Sequence, residues 1–123
     1  MDKNILVVDD DPDILISIKN IFENKGYNVS TAIDGRNCID EVSKGFKGLI
    51  LIDIMMPSLD GWDTIREIIE RGFSENVDIL VITAIGTKDH NKIHGLEPYI
   101  NDYIAKPFDI HQLISSVKQI LNY

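Results

Sequence analysis

The chain has 123 residues, of which 44% are hydrophobic and 26% are charged. This length and composition predict one globular domain, residues 1–123, with a core of its own, and they exclude a disordered segment. Because 20 acidic residues outnumber 12 basic ones, the net charge is −8, which disfavours direct binding to nucleic acid or to an anionic membrane.

The cysteine content and the apolar runs indicate where such a chain resides. Cys38 is the only cysteine, so no disulfide can form within the chain, as is usual in a reducing cytosol. The apolar runs are far shorter than the roughly 20 residues that span a bilayer, and no signal-peptide pattern precedes the first predicted strand. We therefore expect a cytoplasmic protein that does not insert into membranes.

Strand-like and helix-like patterns alternate five times along the chain, which predicts an α/β fold with five helices around a doubly wound parallel sheet of five strands. The continuous apolar run at residues 5–8 is typical of a strand covered on both faces. A helix is predicted over residues 11–26, with a capping Asp and a Pro at its start. Residues 27–32 form the second predicted strand, and a short helix around Cys38 follows.

The second half of the chain repeats this alternation. The third predicted strand covers residues 49–52 and is followed by a helix over residues 62–71. The fourth strand is predicted at residues 77–82 and the fifth around Ile104. The last helix, at residues 110–121, has apolar residues at good helical spacing.

The fourth predicted helix is the weakest element. Between Thr87 and Tyr99, only Ile93 and Leu96 are clear apolar anchors, and Pro98 follows closely. We expect this helix to be short and mobile relative to the rest of the chain.

Polar side chains end nearly every predicted strand. Asp9 and Asp10 follow the first strand, Asp53 ends the third, Thr83 the fourth and Lys106 the fifth. In open α/β sheets, ligands bind at the carboxyl ends of the strands, where the winding direction reverses. With the flavodoxin-like strand order 2-1-3-4-5, the first and third strands are neighbours, so we expect the three carboxylates to face one another.

Three carboxylates and one ammonium carry a net charge of about −2, which favours proton uptake or the binding of a cation. Oxygen ligands in a partial cage suit Mg²⁺. The cation would let a phosphoryl group approach a carboxylate, and carboxylates act as nucleophiles in phosphoryl transfer. Thr83 offers a hydroxyl and Lys106 a positive charge to the transferred oxygens.

Five stretches of the sequence resemble the response-regulator receiver domain of two-component signalling. They are ILVVDDD (residues 5–11), LIDIMMP (51–57), DG (60–61), VITA (81–84) and YIAKPF (103–108). Together they span essentially the whole chain in the expected order. The resemblance implies a phosphoprotein switch that assists its own phosphorylation and slow dephosphorylation but is otherwise no enzyme.

The resemblance also implies roles for single residues. Asp53 would be phosphorylated by a sensor histidine kinase or a phosphotransfer protein. Asp10 and Asp53 would bind Mg²⁺ directly, with the main-chain carbonyl of Met55, and Asp9 would act largely through water. Thr83 would turn inward to meet the phosphoryl group while Lys106 pairs with it.

The signal would leave through one face of the domain. Tyr103 matches an aromatic residue that swings inward together with the threonine, and the Lys106-Pro107 bond is usually cis in this family. The output face would comprise the fourth helix, the fifth strand and the fifth helix, and it would contact a downstream protein target or an effector domain.

Three departures from the family pattern concern packing and output. Gly48 stands where many relatives have an acidic residue before the third strand. Pro98 and Tyr99 replace the usual small, Gly-containing lead-in to the fifth strand, which puts the shape of the output face in doubt. Residues 87–94 are unusually polar, so a familiar dimer interface there should not be assumed.

Two other interpretations remain open. A haloacid-dehalogenase-like phosphatase also forms an aspartyl-phosphate beside Mg²⁺, and Asp9 and Asp11 have the spacing of its D-x-D motif. However, Pro12 and Asp13 stand where that motif continues with Gly-Thr, and the chain has no room for a cap domain. The third interpretation is a receiver-like interaction module that never takes phosphate, against which the complete acidic set and Lys106 argue.

The expected lifetime of the phosphoryl group follows from two apolar residues. Met55 and Ile85, two residues beyond Asp53 and Thr83, flank the path that a hydrolytic water takes in this fold. Neither side chain can orient or activate water, so we expect slow self-hydrolysis.

Overall fold

The computed structural model describes residues 3–84 and 93–122. Its strands are β1 (Asn4–Val8), β2 (Asn28–Ala32), β3 (Gly48–Asp53), β4 (Val77–Ala84) and β5 (Asp102–Lys106). Its α-helices are α1 (Pro12–Glu23), α2 (Gly35–Ser43), α3 (Gly61–Glu70) and α4 (Ile110–Leu121), and short 3₁₀ helices lie at Ser74–Asn76 and Glu97–Tyr99. All strand pairs are parallel, in the order β2-β1-β3-β4-β5, as predicted.

The number of α-helices differs from the prediction. The described part of the chain contains four rather than the predicted five. The helix predicted between Thr87 and Tyr99 falls largely on residues 85–92, which lie outside the described residues, as does the expectation of its mobility. Within the described remainder, Ile93 is α-helical and Pro98 lies in the 3₁₀ helix Glu97–Tyr99.

The sheet is covered on both faces because successive side chains of a strand point to opposite sides. In β1, Ile5 and Val7 belong to the buried cluster that includes the inner residues of α1 and α4. Leu6 and Val8 belong to the opposite cluster, which includes the inner residues of α2 and α3. In the described part of the chain, two helices therefore pack on each face, and every residue of the central strand β3 is buried.

Aspartates fix where all four α-helices begin. The carboxylates of the N-cap residues accept hydrogen bonds from main-chain N–H groups of the first turn, which otherwise lack partners. These caps are Asp11, Asp34, Asp60 and Asp109. Four of the 20 acidic residues thus serve helix starts, and Asp11 has the capping role that its sequence position predicts.

None of the helices in the described ranges is long and apolar enough to cross a bilayer.

Gly48 fits only as a glycine, which explains one departure from the family pattern. Its φ of 150° lies in a region that residues with a side chain rarely adopt. A Cβ atom at this position would overlap the main-chain carbonyl oxygen of Asn4, on the neighbouring strand. The acidic side chain that many relatives carry here would therefore require the start of β3 to move.

We predict that Gly48→Ala destabilises the protein more than Gly45→Ala does, as measured by urea unfolding. Gly45 also has a positive φ, of 110°, but a Cβ there would meet no atom within 4 Å. Gly45→Ala should cost about 1 kcal/mol of backbone strain. Gly48→Ala should cost about 1–3 kcal/mol more, because of the overlap. Equal losses in the two variants would contradict this explanation.

Candidate functional site

The register between β1 and β3 brings the acidic strand ends together. Val8 pairs with Ile52, so Asp9 and Asp53 are the next residues along two adjacent parallel strands. Their side chains are almost fully buried, with 3% and 5% exposed, whereas Asp10 is exposed. Carboxylate oxygens of the three residues lie within 4.8 Å of one another. The convergence expected from the strand ends is therefore present.

Lys106 lies between the two buried carboxylates. Its Nζ donates to Asp9 Oδ2 at 3.0 Å and to Asp53 Oδ2 at 3.1 Å. Burial lowers the pKa of this ammonium, but the two hydrogen bonds and the charges of both carboxylates outweigh burial and raise its pKa. Lys106 is thus a fixed positive charge at neutral pH. With three carboxylates around it, the cluster carries about −2.

The remaining carboxylate oxygens are held by main-chain N–H groups. Asp11 N–H donates to Asp9 Oδ1 at 2.9 Å, and Met55 N–H donates to Asp53 Oδ1 at 3.0 Å. Each buried carboxylate therefore has one oxygen oriented by the backbone and the other by the same lysine. Such bonds fix the rotamer of a carboxylate before any ligand arrives.

The loop after Asp53 is closed by Gly61, a residue to which the sequence assigned no role beyond its motif. Gly61 N–H donates to the carbonyl of Ile54 at 3.0 Å. A Cβ at Gly61 would lie 2.7 Å from the carbonyl oxygen of Asp53, so only glycine allows α3 to start this close. The signal in the sequence was a glycine directly after a capping residue, Asp60.

The other predicted site residues lie around this cluster. Thr83, in β4, is partly buried and lies one position beyond Ile82, which pairs with Asp53. The Met55 side chain is 57% exposed, and Ile85 lies outside the described residues. Tyr103 is three residues before Lys106 in β5, with 39% of its surface exposed. The Lys106-Pro107 peptide bond is cis, as the resemblance implied.

A group of three carboxylates with one buried cation matches the donors that a hard divalent cation prefers. Oxygen ligands at this spacing suit Mg²⁺, which keeps several of its waters and needs few protein ligands. The residues present therefore fit such an ion: two carboxylates are oriented by the backbone, and a third, on Asp10, is accessible to solvent.

Comparison with known proteins connects this geometry to one family. The model of the response regulator receiver domain matches residues 5–118. The transcriptional regulatory protein PrrA of Mycobacterium leprae is 36% identical over 117 residues, which are 95% of this chain and 49% of PrrA. The CpxR homolog of Haemophilus influenzae is 37% identical, with the same coverage. The chain thus spans about half the length of these relatives.

Solved structures agree with this match. A CheY-like receiver domain protein from Methanospirillum hungatei JF-1 is 40% identical, with a TM-score of 0.91 over 97% of this chain and 94% of that one. The response regulator TrrA of Thermotoga maritima, solved in complex with Mg²⁺ and BeF, is 28% identical, with a TM-score of 0.77. The match covers 97% of this chain and 98% of TrrA.

Without a bound cation, the buried negative charge of Asp9 should lower the free energy of unfolding. Burial raises the pKa of its carboxyl, and the neighbouring Asp53 carboxylate also raises it, whereas Asp11 N–H and Lys106 lower it without cancelling the rise. Asp9 therefore holds its proton more tightly in the folded state. Its contribution to stability is present at low pH and is lost as the pH rises through this raised pKa.

We predict that Asp9→Asn stabilises the protein at pH 7 in the presence of EDTA, because the neutral amide removes a buried negative charge. The advantage over wild type should shrink as the pH falls and Asp9 takes up its proton. Urea unfolding between pH 4 and pH 7 measures both effects. Asp40→Asn, at an exposed position outside the cluster, is the control and should change stability by less than about 0.5 kcal/mol. A less stable Asp9→Asn protein at pH 7 would contradict the argument.

Proposed function

Since the chain belongs to the response regulator receiver domain family, we propose that it is a switch that accepts a phosphoryl group on Asp53. The observation that carries this proposal is the cluster of Asp9, Asp10 and Asp53 around Lys106 at the carboxyl edge of the sheet. We choose Asp53 as the nucleophile because it ends β3, the middle strand of the sheet, and therefore lies between the ends of β1 and β4.

We propose Mg²⁺ as the cofactor, held by Asp9, Asp10, Asp53 and the main-chain carbonyl of Met55. When bound, the ion offsets the negative charge of the cluster and of the incoming phosphoryl oxygens. The spacing of the three carboxylates supports this assignment, as does the Mg²⁺ and BeF complex of the related TrrA.

In the proposed reaction, a carboxylate oxygen of Asp53 attacks the phosphorus of a phosphohistidine on the kinase. A new P–O bond forms, the P–N bond breaks, and the electron pair stays on the imidazole, which then takes up a proton. The chain contributes positioning and charge: Met55 N–H orients Asp53, and Lys106 can move from Asp53 to an oxygen of the phosphoryl group. Thr83, near the end of the neighbouring strand β4, donates its hydroxyl to another oxygen of the phosphoryl group.

The partners are proposed from the family and from the relatives. The donor is a sensor histidine kinase or a phosphotransfer protein, and the recipient of the signal is a target protein or an effector domain. PrrA and the CpxR homolog are transcriptional regulatory proteins about twice as long as this chain. DNA binding in such proteins would need a separate domain, because this chain carries a net charge of −8.

The output face is proposed to include the segment between β4 and β5, β5 itself and α4. Thr83 and Tyr103 are the residues proposed to change position after phosphorylation. Tyr103 is on edge strand β5 and is 39% exposed, so its ring has room to move between solvent and the sheet. Burial and the charge of Glu97 raise the pKa of its hydroxyl, so the ring would move as a neutral phenol at physiological pH.

We predict that acetyl phosphate with Mg²⁺ adds one phosphoryl group to the wild-type chain and none to Asp53→Asn. Intact-mass spectrometry measures the addition, and peptide mapping after rapid quenching locates it. Asp11→Asn is the matched control: Asp11 caps α1 close to the cluster and should still allow labelling. EDTA should abolish labelling in all variants.

The location of the label separates the alternatives. A label on Asp9 would favour the dehalogenase-like interpretation. If neither acetyl phosphate nor a cognate kinase labels the chain, the result would favour the third interpretation, a receiver-like interaction module that takes no phosphate.

We predict that the phosphoryl group is long-lived and that Met55→Asn shortens its lifetime by at least about fivefold. The Met55 side chain lies exposed beside Asp53 and cannot hold a water in line for attack, whereas an amide can. The decay of phosphorylated protein after removal of the donor measures both rates. Met55→Leu, which retains an apolar side chain, is the control. Equal decay rates for wild type and Met55→Asn would remove the argument.

A further inference from the structure

Trp62, the second residue of α3 and the only tryptophan of the chain, is buried without a hydrogen bond. Its side chain is 3% exposed, and its Nε1 is the buried side-chain N or O atom that has no partner in the described part of the chain. An indole N–H can only donate, and buried tryptophans usually find an acceptor because an unpaired buried donor is costly. A phenylalanine would fill an apolar site without that cost.

The position of Trp62 links its unpaired indole N–H to the loop that follows Asp53. Gly61, the residue before it, is bonded to Ile54 of the loop that follows Asp53. This hydrogen bond joins the loop to the first turn of α3. Met56 of the same loop belongs to the same buried cluster as Trp62.

The same buried cluster also includes residues of the segment before β5. Arg66 is one helical turn after Trp62, on the same side of α3, and its Nη2 donates to the carbonyl of His94 at 3.4 Å. Leu96 and Ile93 also belong to the buried cluster of Trp62. Trp62 thus belongs to one buried cluster with residues of the loop that follows Asp53 and of the segment leading to the proposed output face.

We propose that Trp62 is a positioning residue of the switch, whose indole N–H lacks a hydrogen bond in this state and gains one when Asp53 is loaded. This inference rests on the proposed function and deepens it. The unpaired donor makes the unloaded state less favourable, and a new bond stabilises the loaded state. Loading and the rearrangement around α3 are thereby coupled through one group.

The single indole allows a direct spectroscopic test. In ¹⁵N-labelled protein, Trp62 gives one indole N–H resonance, whose proton chemical shift moves downfield when the group donates a hydrogen bond. We expect this shift on addition of Mg²⁺ with beryllofluoride, together with slower exchange of the indole proton with solvent. Mg²⁺ alone should change the resonance less than the two together.

Trp62→Phe tests the energetic coupling. In the unloaded protein, the variant should lose less stability than its missing ring volume implies, because it also removes an unpaired donor. Its affinity for beryllofluoride should fall about fivefold, the factor that one net hydrogen bond provides. Ile65→Val, a change in the same buried cluster without a polar atom, is the control, and its affinity should stay within about twofold of wild type.

The outcomes distinguish this inference from the proposed function. If backbone resonances near Asp53 shift with beryllofluoride while the indole resonance stays in place, the role of Trp62 is wrong and the phosphoacceptor function stands. Unchanged beryllofluoride affinity in Trp62→Phe would also overturn it. If no resonance shifts at all and Asp53 takes no label, both proposals fail.

Discussion

The parallel register between β1 and β3 is the constraint on which the rest of the molecule depends. It fixes Asp9 beside Asp53, with two buried carboxylates sharing one ammonium at 3.0 and 3.1 Å. Burial of its carboxyl raises the pKa of Asp9, and the neighbouring charge of Asp53 raises it further. The strands hold the two carboxylates there because both strands are buried on both faces, so separating the strands would expose apolar side chains and leave buried main-chain groups unpaired. The apolar sheet therefore stabilises a site that is unfavourable by itself.

The start of α3 is the second place where backbone geometry sets the site. Gly61 lets the helix begin against the main chain of Asp53, and its N–H closes the loop on Ile54. Asp60 caps the helix, and its carbonyl accepts the hydroxyl of buried Thr64 at 2.8 Å. The loop is thus bounded by β3 on one side and by a capped helix on the other, so the proposed phosphorylation of Asp53 would take place beside a rigid element.

The sequence predicts those parts of the fold and site that arise from local pattern and strand order. The alternation of strand-like and helix-like patterns predicted all five strands, and the carboxyl-end rule for parallel sheets predicted that Asp9 and Asp53 meet. The contacts of Gly48 with Asn4 could not be predicted, because residues 44 positions apart in sequence meet only after the strands pair. Trp62 is buried, but whether its N–H has an acceptor depends on neighbours from several elements.

The charge arrangement also explains how an event at Asp53 can reach the edge of the sheet. Lys106 ends β5, an edge strand that pairs with β4 within the described residues. In the proposed reaction, a phosphoryl group adds negative charge at Asp53. The Lys106 ammonium would then bind the phosphoryl oxygens in place of its present hydrogen bond to the Asp53 carboxylate. Any shift of Lys106 acts on the strand that carries Tyr103, three residues away. Lys106 offsets the repulsion between Asp9 and Asp53. The same residue is therefore in a position to pass the effect of the proposed phosphorylation to β5.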